Sequence, residues 1–159
     1  MAQIPTRHLE GVTVLTNDVQ RWGPWAGKII TRDEVEQIIY VIDTNGVVMK
    51  YPTPPLFPCG GISPEDFDII RTNQDLYACD PGSHDIVKLP ASLLSGYVGD
   101  LVVTQAGEFG GPARLFIVHW DGASFIARAI TYERPNFPAG TFGLEHVTFA
   151  PIDIPPLTQ

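Results

Sequence analysis

The chain has 159 residues, 44% of them hydrophobic and 18% charged. That is enough for one domain with a real core, and the balance is the opposite of a disordered segment's. Its net charge is −8, and its 10 Lys and Arg form no cluster, which excludes an interface built on nucleic-acid phosphates.

Nothing in the sequence approaches the ~18 apolar residues of a membrane-spanning helix. The first residues lack the charged and apolar regions of a signal peptide. The expectation is therefore a cytoplasmic chain, or a piece of a longer extracellular or periplasmic protein. Gly and Pro number 15 each without a low-complexity tract, which predicts many turns between short elements and an all-β chain. Two cysteines are too few for a disulfide framework. Cys79 falls in a strand-like run and reads as a small apolar residue, a bridge to Cys59 being the alternative.

Taken in order, residues 1–8 are a lead-in and 11–16 a strand. Asn17-Asp18 opens a connection holding Trp22-Gly23-Pro24-Trp25, where the two tryptophans read as a cap on the core. Strands follow at 28–31 and 38–43. Thr44-Asn45-Gly46 then turns the chain into 47–51, and Asn-Gly between apolar runs is the strongest short hairpin signal. The Pro- and Gly-rich stretch 52–63 is a loop. Strands are expected at 66–71, 75–80 and 85–89, with turns at Asn73-Gln74 and Pro81-Gly82-Ser83. Residues 90–95 have room for one helical turn. Further strands fall at 100–105, 114–120, 124–131 and 145–150. Loops are expected at 108–112 and around Pro135 and Pro138, and the proline-containing tail 151–159 should be extended.

The chain repeats itself. Leu9-Glu10-Gly11-Val12-Thr13 returns as Leu144-Glu145-His146-Val147-Thr148. Pro64-Glu65-Asp66-Phe67-Asp68-Ile69-Ile70 is a third version, and Val98-Gly99-Asp100-Leu101-Val102-Val103-Thr104 a looser fourth. A second pattern, Ile39-Tyr40-Val41-Ile42-Asp43, returns as Leu76-Tyr77-Ala78-Cys79-Asp80 and Leu115-Phe116-Ile117-Val118-His119. Its aromatics at 40, 77 and 116 are 37 and 39 residues apart. A period near 40 carrying three or four strands is the spacing of a propeller blade.

The stretch Pro64–Leu89, with its acid-started strand, its Asp75-Leu76-Tyr77-Ala78-Cys79-Asp80 run and its His84-Asp85-Ile86-Val87-Lys88-Leu89 run, resembles an NHL-type or gluconolactonase-type blade. The resemblance implies a six-bladed ring. Residues 1–159 are then a single propeller-like domain of about three blades, either a fragment or a half-ring closed by a second copy as a homodimer.

Aligning the four front edges puts Glu10, Glu65, Gly99 and Glu145 in one column, and Gly11, Asp66, Asp100 and His146 in the next. Converging carboxylates suggest a hard cation, calcium foremost, held by Glu10, Glu65, Asp66, Asp100 and Glu145. The alternative is that these acids cap strand ends and accept backbone N–H bonds. His8 and His146 flank the same motif and are candidates for a general base. His84 and His119 receive no role. Two functions follow. The first is a non-catalytic binding or scaffold module holding calcium in its channel. The alternative, implied by the resemblance, is a calcium-dependent lactonase or esterase-type hydrolase, in which the metal polarises the carbonyl.

Overall fold

The computed structural model describes residues 3–5, 8–53, 63–105, 114–130 and 144–151. Eleven strands and two short helices lie among them: β1 (Leu9–Val14), α1 (Val19–Trp22), β2 (Ile29–Asp33), β3 (Ile38–Ile42), β4 (Val48–Pro52), β5 (Phe67–Ile69), β6 (Gln74–Asp80), β7 (Asp85–Leu89), α2 (Ala91–Leu94), β8 (Leu101–Gln105), β9 (Arg114–Trp120), β10 (Phe125–Ile130) and β11 (Val147–Pro151). Every expected strand is present, its ends displaced by no more than two residues. The expected loop at 108–112, the loop around Pro135 and Pro138, nearly all of the tail, and Cys59 with its pairing lie outside the described residues. Cys79 is half-buried.

Helix α1 is an addition to the expected connection. The Asp18 side chain accepts from the N–H groups of Gln20 and Arg21, which satisfies donors that the first turn otherwise leaves open. The Asn45-Gly46 turn is also longer than a two-residue hairpin. Gly46 sits at φ 83°, and Asp43 takes the N–H groups of Asn45 and Val47 on its carboxylate. A three-residue loop ending in a left-handed glycine results.

The strands form three antiparallel sheets, with no closed barrel. Sheet A is a plain meander, β1-β2-β3-β4. Sheet B runs β5-β8-β9-β10 and sheet C runs β11-β6-β7. The hairpins β3–β4, β6–β7 and β9–β10 are the three repeats of the aromatic pattern. Their register repeats too: Tyr40 faces Lys50, Tyr77 faces Lys88 and Phe116 faces Ala129. In the first two, the ammonium lies 5.6 Å and 5.9 Å from the facing ring, an attraction of cation and ring quadrupole. The short strands do not follow chain order. β5 passes over the adjacent hairpin to pair with β8, and β11 returns from the far end to pair with β6.

Sheet B is the middle layer, because it contributes to both cores. On one side Phe67, Leu101, Val103, Phe116, Val118 and Phe125 pack with Leu15, Trp22, Trp25, Ile30, Ile39 and Val41 of the sheet A layer. On the other side Val102, Leu115 and Ile117 pack with Leu76, Ala78, Val87, Leu89, Val147 and Phe149 of sheet C. Alternation along a strand sends neighbours to opposite faces. A strand buried on both faces is therefore apolar throughout, which is why Leu101-Val102-Val103 and Leu115-Phe116-Ile117-Val118 are unbroken runs. The tryptophans do cap this core. Trp25 is fully buried, with its ring stacked 3.8 Å from Phe125 and edge-on to Tyr51 at 5.5 Å. Trp22 is buried with its indole N–H donated to Thr16 Oγ1 at 2.9 Å.

Candidate functional site

The three close versions of the repeated motif come together. β5 lies against both β1 and β11, so one strand from each sheet meets at the same place. Their leading acids, Glu10, Glu65 and Glu145, line one cavity of about 490 Å³ with Gly11, Glu34 and His146. Glu10 and Glu145 share this cavity within a single chain, so the duplicated motif needs no second copy to bring its acids together.

A bulge aims the first of them. Glu10 pairs with Arg32 and Val12 with Thr31, leaving Gly11 as the extra residue. Arg32 and Thr31 are neighbours and face opposite ways, so Glu10 and Val12 do too, where a regular strand would put them on one side. Gly11 makes this possible. It sits at φ +57°, and a Cβ there would meet Asp66 Oδ1 at 2.9 Å, so only glycine fits without strain. The Thr31 hydroxyl donates to the Gly11 carbonyl at 2.8 Å and fixes the bulge.

At the centre of the carboxylates is a guanidinium. Arg32 is fully buried. Its Nη2 donates to Glu10 Oε2 at 2.7 Å and to Glu65 Oε2 at 2.6 Å, and its Nε donates to the Glu65 carbonyl. Nη1 is buried without a hydrogen bond, 4.0 Å from Glu34 Oε2. Glu10, Glu34 and Glu65 each offer an oxygen within 4.8 Å of the others. One positive charge therefore faces several negative ones. Burial pushes the Glu65 carboxyl from an ordinary 4.5 up to about 8. Arg32 pulls the other way, while a hydrogen bond to Glu34 and the charges of Glu34 and Glu10 add to the rise. At neutral pH Glu65 is thus mostly protonated and holds Glu34 by that proton.

The other expected ligands go elsewhere. Asp66 takes the capping role: Oδ2 accepts the Val147 N–H at 3.0 Å and Oδ1 accepts its neighbour Phe67 N–H at 2.8 Å. It thereby locks β11 to the start of β5. Asp100 precedes β8, the second strand of sheet B, at the end of that strand away from Glu65, whose N–H bonds Thr104. Its Oδ1 lies 2.9 Å from His119 Nδ1 and 3.5 Å from Arg21. His146 borders the carboxylate cavity, its Nδ1 4.0 Å from Asp66 Oδ2. His8 lines a different hollow, with Asp33 and Glu36.

Arg32, Glu34 and His119 were not singled out from the sequence. The available signal for Arg32 was the cross-strand position opposite Glu10. It could be used only once the β1–β2 register was known. No protein-family model, curated protein or solved structure matches the chain.

Chemically, the cavity offers hard oxygen donors suited to calcium or a similar cation. Arg32 already engages one oxygen each of Glu10 and Glu65, so an incoming cation would use the remaining carboxylate oxygens. It would also compete with the proton on Glu65.

Proposed function

We propose that the chain is a non-catalytic binding module of three propeller-like blades, whose carboxylate cavity takes a hard divalent cation, calcium foremost. One observation carries this reading: Glu10 and Glu65, from two different sheets, converge on a single guanidinium, which cannot neutralise them together with Glu34 and Glu145 of the same cavity. The blade reading is supported by the face-to-face stacking of sheets A, B and C, and by the meeting of β1, β5 and β11 at one point. β1, β5 and β11 are then the inner strands.

The test is a thermal melt of the full chain with and without calcium. A ligand that binds only the folded state raises its stability by RT ln(1 + [L]/Kd). Calcium should therefore raise the melting temperature, and more at pH 8.5 than at pH 6, because the Glu65 proton must leave. Glu10→Gln with Glu145→Gln should abolish the shift. No shift at either pH would sink the proposal.

A calcium-dependent lactonase is the alternative, and the observation favouring it is His146 at the rim of the same cavity. That reading requires calcium-dependent hydrolysis of a simple lactone or aryl ester, lost in His146→Asn. A chain that binds calcium but turns over neither substrate is the binding module.

A further inference from the structure

At the other end of β8 a second cavity, of about 190 Å³, is lined by Gly96, Tyr97, Asp100, Ile117, His119, Ile126 and Arg128. Pairing explains how it forms. His119 faces Ile126, and Ile117 faces Arg128, across the β9–β10 ladder. These four side chains therefore share one face of sheet B. The turn after α2 brings Tyr97 over it. The volume equals about six waters at ~30 Å³ each, the size of a small organic molecule.

The histidine in this cavity is held in place. Asp100, 8% exposed, directs Oδ1 at His119 Nδ1. The same oxygen is approached by Arg21, whose Nη1 also donates to the Val98 carbonyl at 3.1 Å. Gly99, at φ +86°, lets the guanidinium occupy the space that a Cβ would take. With Nδ1–H turned to a carboxylate, the imidazole is fixed in orientation and Nε2 points away from Asp100. Arg128 makes no hydrogen bond or ion pair among the described residues. In a chain of net charge −8, an unpaired guanidinium beside an oriented imidazole is a local reversal of sign. Below the guanidinium and the imidazole, Ile117 and Ile126 give an apolar floor.

We propose that this cavity is a second binding site, for a small organic anion whose oxyanion is held by Arg128 and by the Nε2–H that His119 gains on taking a proton as the anion binds, and whose apolar body lies on Ile117 and Ile126. The shared chemistry is a terminal oxyanion, carboxylate or phosphate. A guanidinium fork fits both in bidentate geometry. The proposal is independent of the cation site, since no residue is common to the two cavities.

The test is an NMR titration of the full chain with millimolar butyrate and, separately, monoethyl phosphate. The His119 ring protons and the Arg128 Nε–H are followed. At least one of the two probes should give saturable shifts at both residues, and which probe does so identifies the oxyanion. Arg128→Gln and His119→Gln should each weaken binding about tenfold, the loss of one charge-assisted hydrogen bond. Both positions are exposed, and a dispersed amide spectrum confirms that each variant folds. Absence of shifts with both probes overturns the proposal, as does an affinity unchanged within about twofold in either variant.

Discussion

Replacing Arg32 by methionine should cost about 3–5 kcal/mol of stability at pH 7, read from urea unfolding. Methionine is close to arginine in length and fills the space, so the loss is electrostatic rather than a cavity effect. The buried guanidinium bonds Glu10, Glu65 and a main-chain carbonyl. Removing it leaves the carbonyl and carboxyl of Glu65 without that donor, and Glu10 and Glu34 without their counter-charge. A buried pair broken on one side is far more costly than a pair replaced whole. The triple variant Arg32→Met, Glu10→Gln, Glu65→Gln should therefore recover much of the loss. The deficit of the single variant should also shrink at pH 5, where the carboxyls can take protons instead. Arg71, 60% exposed and 3.9 Å from Asp68, is the contrast. Arg71→Met should change stability by no more than about 0.5 kcal/mol. If Arg32→Met costs less than ~1 kcal/mol, the guanidinium is not the centre of the site.

The all-β class was legible in local signals. Strand positions followed from short apolar runs and turn chemistry, because pairing within a hairpin is set by neighbouring residues. The echo of Leu9-Glu10-x-Val12-Thr13 at Leu144 also marked two strands whose acids line one cavity. Sheet membership was not legible. β5 is three residues long, too short to carry a preference for β8 over β6, and its choice depends on the whole stack. The fourth version of the motif lies apart from the other three for the same reason. Asp100 precedes β8, which lies inside sheet B behind β5, so its carboxylate never reaches the meeting point. Arg32 was hidden by an assumption that usually holds. Arginine is mostly exposed, and Thr-Arg-Asp-Glu looks like a strand running out into solvent. In β2, Thr31, Arg32 and Asp33 are buried because sheet A is covered there, which sequence alternation cannot reveal. His119 received no role, because its partner Asp100 is one strand away and 19 residues distant.

Glu65 gives the sharpest dependence on pH. Its folded value of about 8 stands above the ordinary 4.5, so between those limits the folded chain holds a proton that the unfolded chain releases. Stability from this group is complete below pH 4.5, declines as pH rises, and is lost by the time pH passes 8. The slope cannot exceed ~1.4 kcal/mol per pH unit for one proton. Glu65→Gln isolates the effect. The amide can accept from Arg32 and donate to Glu34 as the protonated acid does, and it stays neutral. The variant should therefore match the parent near pH 5 and be the more stable of the two at pH 9, measured by urea unfolding at each pH. Parallel curves for the two proteins would show that Glu65 is ionised throughout. Calcium turns the same comparison into a test of the cation site. A bound cation replaces the proton as the neutralising charge, so at pH 8.5 it should stabilise the parent and leave Glu65→Gln, which has lost a ligand, behind. The order of the two proteins should then reverse. If calcium shifts both equally, it binds somewhere other than among these glutamates.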